Sequence, residues 1–125
     1  MKLTFHGAAK MVTGSNYLLE TSDKGKATRI LIDCGLFQGG SFAEHQNYKP
    51  FPYDPKSIDA VFITHAHIDH IGRLPLLYKN GFRGEIFSTP PTRDFAEHLL
   101  IDSEHLLAKE SKEKNVPPLY SINDV

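Results

Sequence analysis

One cysteine, Cys34, in 125 residues excludes an internal disulfide framework and fits a reducing compartment. Nothing in the chain approaches the roughly 18 consecutive apolar residues of a membrane span. The opening, MKLTFHGAAKMVTG, lacks the apolar stretch that a secretory signal needs. Charge of either sign is not in excess: the net charge is −1 and the pI about 6.6. There is therefore no global cationic field of the kind small nucleic-acid-binding domains carry, although a local groove would still serve such a substrate. Internal repeats and low-complexity segments are also missing. What is present is an ordinary mixture, 40% hydrophobic and 23% charged, enough for one domain with a modest core. These features lead to the expectation of a cytoplasmic α/β protein.

Strand patterns dominate the first third. Leu3 and Phe5 alternate with polar neighbours, Ser15 to Thr21 predicts a second strand, and Thr28 to Ile32 a third. SDKGK between the last two is a glycine-containing turn suited to a hairpin. Residues 35 to 57 read as loop, broken by Gly39-Gly40, Pro50, Pro52 and Pro55. Ala60 to Thr64 is a short apolar run fit for a buried strand. A short helix is expected over Ile71 to Tyr78, ended by Asn80-Gly81, then a strand at Glu85 to Ser88. The longest helix is predicted from Pro91 to Lys114, with Phe95, Ala96, Leu99, Leu100, Leu106 and Leu107 as its apolar stripe. After Pro117-Pro118, Ser121 and Asp124 have the spacing of an acidic capping box. A helix is thus expected to start where the chain stops at Val125, which reads as the N-terminal portion of something longer.

The chemistry concentrates in Thr64-His65-Ala66-His67-Ile68-Asp69-His70. In extended chain, residues i and i+2 point the same way, so His65 and His67 can share one metal. A turn into helix would swing Asp69 and His70 onto a second metal. Imidazole and carboxylate donors suit zinc or a similar divalent transition metal. Three histidines and an aspartate in this order, after a buried strand, are hard to obtain by chance in a surface loop. Asp33, at the end of ILID, would support such a site from behind, or would simply cap a turn before Gly35. Cys34 reads as a small buried residue without chemistry.

The remaining histidines carry less. His98 and His105 share a helix face without a His-Glu-x-x-His pattern and read as partly exposed. His6 would line the site or serve as a satisfied structural histidine, the latter being favoured. His45 lies in a polar loop. Gly14-Ser15 fits a tight turn, or a backbone approach to phosphate. The lysines and arginines are scattered, as on a solvated surface.

His65-Ala66-His67-Ile68-Asp69-His70 resembles the signature of the metallo-β-lactamase superfamily, and Asp33 falls where that superfamily has its first acidic motif. Phe5-His6-Gly7-Ala8-Ala9 with Val12 to Leu19 is similar to the opening of the β-CASP nucleases, relatives of the messenger-RNA 3′-end processing endonuclease. Asp69 to Pro75, Thr89-Pro90-Pro91-Thr92, Leu100 to Ser103, Leu119-Tyr120-Ser121 and Asp124-Val125 follow the same branch.

The resemblance implies an α/β fold, the αββα sandwich, of which residues 1 to 125 would be the N-terminal portion only. It implies two zinc ions, with manganese as the substitute, His65 and His67 holding one and Asp69 and His70 the other. Catalytic roles fall to Asp69, which would orient the attacking water or take its proton, and to Asp33, which would brace the site. The substrate implied is single-stranded RNA, cut internally, from the 5′ end, or both. The family completes its site with a later histidine, a bridging aspartate and a further histidine near the cap, none of which lies in this chain. A catalytic zinc normally has three protein ligands, so the chain alone is expected to be inactive and to need the missing C-terminal part. An isolated half-sandwich would also expose a core face, which a homodimer would cover. Two other readings stay open: a small thioester or lactone hydrolase of the same fold, and a non-catalytic scaffold subunit of an RNA-processing complex.

Overall fold

A computed structural model describes residues 1–125, and its centre is one five-stranded sheet in the order β1-β2-β3-β4-β5. Strands β1 (Lys2–Phe5), β2 (Tyr17–Asp23) and β3 (Lys26–Ile32) form an antiparallel meander. The expected hairpin is present and tighter than SDKGK suggests. Only Lys24 and Gly25 lie outside the strands, both at positive φ (48° and 83°), which is what a two-residue type I′ turn requires. Strands β4 (Ala60–Phe62) and β5 (Glu85–Phe87) then add in parallel to β3. Parallel neighbours need crossovers, and these supply the helices.

One face of the sheet carries Leu18, Leu31 and Val61, which are neighbours in register and fully buried. They pack with Ile71 of α2 (Ile68–Ile71), Leu74 and Leu77 of α3 (Leu74–Lys79), and Leu100 of α4 (Pro90–Lys114). Each such side chain contributes roughly 1.5–3 kcal/mol by leaving water. The other face is equally apolar and bare. Phe5, Tyr17, Ile32, Phe62 and Phe87 stand in one row across all the strands, with Leu3, Leu19 and Ile30 in a second row. Phe5 and Tyr17 meet edge to face, and Phe62 stacks on Phe87 at 4.9 Å, yet Phe5 remains 59% exposed. Strands apolar on both faces belong to an inner layer. The chain thus forms one helix layer and one sheet layer of an α/β sandwich. Expressed alone, it is expected to bind the apolar dye ANS, and Phe62→Asp is expected to weaken that binding; an unlabelled surface in both proteins would contradict the assignment of this face.

Three expectations need correction. Residues 35 to 57 are not plain loop: they hold a short helix α1 (Ser41–His45) and 3₁₀ turns at Gln46–Tyr48 and Pro55–Ser57. The last is capped by Asp54, whose carboxylate accepts from the Lys56 amide at 3.0 Å. The helix expected over Ile71 to Tyr78 is two helices, α2 and α3, separated at Gly72-Arg73. Pro75 has no N–H for the Ile71 carbonyl, and its ring crowds that carbonyl, so one continuous helix cannot form. The stripe of α4 holds in part. Ala96, Leu99, Leu100 and Leu107 face the body as expected, while Phe95 and Leu106 are exposed. Thr92, Ser103 and Ser111 complete the seam, where hydrophobicity alone does not point. Ser103 Oγ lies 3.3 Å from the buried Tyr120 hydroxyl, satisfying both. The Ser121–Asp124 box does form, with the Ser121 amide donating to Asp124 Oδ2 at 2.8 Å around a 3₁₀ turn.

Candidate metal centre

Strand β4 ends at Phe62, and the chain leaves the sheet through Ile63 and Thr64 before reaching the histidines. The donors therefore emerge at the C-terminal end of a parallel strand, the usual place for a site in an α/β fold. His67 is the extended residue before α2, with φ −63° and ψ 144°. That extension turns the His65 and His67 rings toward each other, with His65 Nε2 3.1 Å from His67 Nδ1. The single turn of α2 then brings Asp69 and His70 together, with His70 Nε2 3.5 Å from Asp69 Oδ2. The His65 and His70 rings lie 4.0 Å apart, so the two pairs are adjacent.

Asp33 stands behind these donors. It is 1% exposed and adopts φ 61°, a left-handed conformation that aspartate tolerates better than most residues. Its carboxylate accepts from the Thr64 amide at 2.9 Å, from Thr64 Oγ1 at 2.9 Å and from Ser15 Oγ at 3.2 Å. His70 Nδ1 lies 2.7 Å from Asp33 Oδ2, so the other ring nitrogen, Nε2, faces Asp69. Backbone bonds fasten the same two segments: Cys34 N to His70 O, Arg73 N to Cys34 O, and Leu36 N to Ile68 O, at 2.8 to 3.0 Å. Ser15 N donates to Asp69 O at 2.8 Å. The approach is so close at Gly35 that a Cβ there would lie 1.6 Å from the Asp69 carbonyl oxygen.

The donor set fits divalent metal in pairs. Two nitrogens bound to one tetrahedral zinc at about 2.0–2.1 Å stand roughly 3.3 Å apart, close to the 3.1 Å between His65 and His67. No three His, Cys, Asp or Glu side chains converge on one point. His65 and His67 thus form one close pair of donor side chains, and Asp69 and His70 an adjacent one.

The other candidates lie elsewhere. His98, His105 and His45 are exposed and join no cluster. His6 packs its ring against Tyr53 at 5.1 Å, and burial lowers its pKa. It is not the satisfied structural histidine expected, because its Nε2 is buried without a partner. Gly14 adopts φ 78° with its Cα against the Phe37 ring, where a Cβ would clash. Cys34 is buried, and desolvation pushes its thiol up to about 12, so it is inert at neutral pH. Arg73 departs from the solvated-surface reading of the basic residues. It is buried, with its guanidinium 4.3 Å from the Phe51 ring centre and one bond to the Lys49 carbonyl. Thr64, Ser15 and Gly35 were not singled out by sequence as parts of the support around Asp33. The available signals were a hydroxyl residue between strand and first histidine, and a glycine two positions after the aspartate.

The chain is thus an α/β protein with a cluster of His and Asp side chains at the C-terminal edge of a parallel strand, braced by one buried carboxylate. The chain belongs to the metallo-beta-lactamase superfamily, whose family model matches residues 11–86. Membership implies divalent-metal binding. Among known proteins, it is 46% identical to Ribonuclease TTHA0252 of Thermus thermophilus over 82% of this chain and 22% of that protein. It is 42% identical to Transcription termination factor FttA of Methanosarcina mazei over 90% of this chain and 17% of that protein. The chain thus spans about a fifth of the length of these relatives. A solved structure, the metallo-beta-lactamase fold protein YhfI of Bacillus subtilis, is 27% identical over 62% of this chain and 29% of its own, with a TM-score of 0.40.

Proposed function

We propose that this chain is the N-terminal part of a metal-dependent ribonuclease of the β-CASP type, acting on single-stranded RNA. The observation that carries the metal reading is the pairing of donors, with His65 and His67 at 3.1 Å beside Asp69 and His70 at 3.5 Å. The RNA reading is supported by the relative named as a ribonuclease, which this chain matches at 46% identity.

In this reading His65 and His67 hold one zinc, and Asp69 and His70 hold a second; manganese is the alternative metal. When bound, the ions supply Lewis acidity to the phosphate oxygens and lower the pKa of water. Asp33 holds the His70 ring through Nδ1 and keeps Nε2 free for metal. Asp69, half-buried beside His70, orients the attacking water and takes up its proton. With two donors per ion, residues 1–125 alone bind metal weakly and do not turn over substrate, since a catalytic zinc site normally uses three.

The test is substrate choice by the full-length gene product. It is expected to cleave end-labelled single-stranded RNA in zinc or manganese and to leave thioesters and lactones intact. Thioester or lactone turnover without RNA cleavage would replace the nuclease reading with a small-molecule hydrolase. Absence of all turnover, from protein holding two metals per chain, would favour a scaffold subunit.

A further inference from the structure

Thr64 is the point where the two halves of the site meet. Its amide and its hydroxyl both reach Asp33, at 2.9 Å each, and its Oγ1 lies 3.0 Å from His65 Nδ1. Oγ1 also lies 3.3 Å from His70 Nδ1, but that nitrogen is closer to Asp33 Oδ2, at 2.7 Å.

Counting protons fixes the direction of every bond. An ionised carboxylate accepts only, with about four lone-pair positions. Asp33 has four donors around it: the Thr64 amide, the Thr64 hydroxyl, the Ser15 hydroxyl and His70 Nδ1. A hydroxyl has one proton to give, and a carboxylate is a stronger acceptor than a neutral imidazole. The Thr64 proton therefore goes to Asp33. Its oxygen is left to accept, which favours His65 carrying its proton on Nδ1 and presenting the Nε2 lone pair. That lone pair faces His67 Nδ1, 3.1 Å away.

We propose that Thr64 is a positioning residue that sets the ring tautomer of His65, relaying the demand of Asp33 for protons to the metal pair that Asp33 does not touch. One carboxylate thus orders donors of both pairs: His70 directly and His65 through the threonine hydroxyl. The inference rests on the metal reading given above, but not on RNA being the substrate.

The experiment uses the metal-free full-length gene product above pH 7.5, with the ring nitrogens of His65 read by long-range ¹H–¹⁵N NMR. The wild type is expected to show the Nδ1–H form. Thr64→Ser keeps the hydroxyl and is expected to keep that form. Thr64→Val keeps the branched shape and is expected to shift His65 toward the Nε2–H form. In a zinc competition titration Thr64→Val is expected to bind about 10- to 100-fold more weakly, the usual effect of losing a ligand's hydrogen-bond partner. An Nε2–H form of His65 in the wild type would overturn the proposal. So would an unchanged tautomer and zinc affinity in Thr64→Val, or a Thr64→Ser variant that behaves like valine. Should Thr64→Val fail to fold, the wild-type and Thr64→Ser tautomers decide alone. The tautomer is read whether or not the protein cuts RNA, so failure here is distinct from failure of the nuclease reading.

Discussion

Asp33→Ala is expected to destabilise the chain by about 3 kcal/mol and to weaken metal binding by about 10- to 100-fold. Four donors converge on this carboxylate, which is itself 1% exposed. Alanine leaves them without an acceptor, and each buried donor that loses its partner costs about 1–3 kcal/mol. Thr64 is exposed and can recover some of this from water, which keeps the total below a simple sum. The effect on metal has a separate origin. Without Asp33 the His70 ring loses the bond at Nδ1 that aims Nε2 toward Asp69. Asp33→Asn tests the same point more sharply: shape is kept, but one oxygen becomes an NH₂ facing donors. It is expected to lower both stability and metal affinity, because the NH₂ cannot accept from the donors it faces. Denaturant midpoints and zinc competition measure the two effects independently. Asp33→Asn with wild-type metal affinity would show that the carboxylate is only a turn-former before Gly35.

Gly35→Ala is expected to be comparably harmful for a purely steric reason. Its Cβ would sit 1.6 Å from the Asp69 carbonyl oxygen and 2.7 Å from the His70 amide nitrogen. Both are backbone atoms, so no side chain can rotate away, and the segment carrying Asp69 and His70 must move. Overpacking of this sort costs about 1–3 kcal/mol, and a displacement of about 1 Å at reacting groups costs about 100-fold in rate. Gly25 supplies the control. Nothing lies within 4 Å of a Cβ there, and its φ of 83° is a turn conformation that asparagine also adopts. Gly25→Asn is therefore expected to leave metal affinity and activity of the full-length product near wild type. If Gly35→Ala matched that control in metal affinity and turnover, the close approach of the two segments would not be what holds the donors.

Sequence patterns brought out the His65–His70 run and Asp33, but not Thr64, Ser15 or Gly35 around them, for a physical reason. His65 and His67 are separated by two positions, and an extended chain turns such residues to one side whatever the tertiary fold. The helical turn at Asp69 and His70 is also local. The sheet strands were legible because Val, Ile and Leu alternate or cluster in short runs bounded by turn residues. Asp33 lies 31 residues before Thr64 and 37 before His70. Only the parallel pairing of β3 with β4 brings it there, and no local pattern encodes that pairing. The requirement for glycine at position 35 has the same non-local origin. Arg73 was hidden differently, since charge normally marks surface; here Phe51 and Phe37 shield a guanidinium that looks solvated in sequence. The α4 seam was legible at Ala96, Leu99, Leu100 and Leu107 but not where Thr92, Ser103 and Ser111 replace Phe95 and Leu106.

The most direct test of the account is cleavage of end-labelled single-stranded RNA by the full-length gene product, with zinc or manganese, beside Asp69→Ala. Metal-dependent cleavage that the variant loses is expected, with the fragment pattern separating internal from 5′-end cutting. Cleavage that survives both Asp69→Ala and removal of metal by a chelator would contradict it.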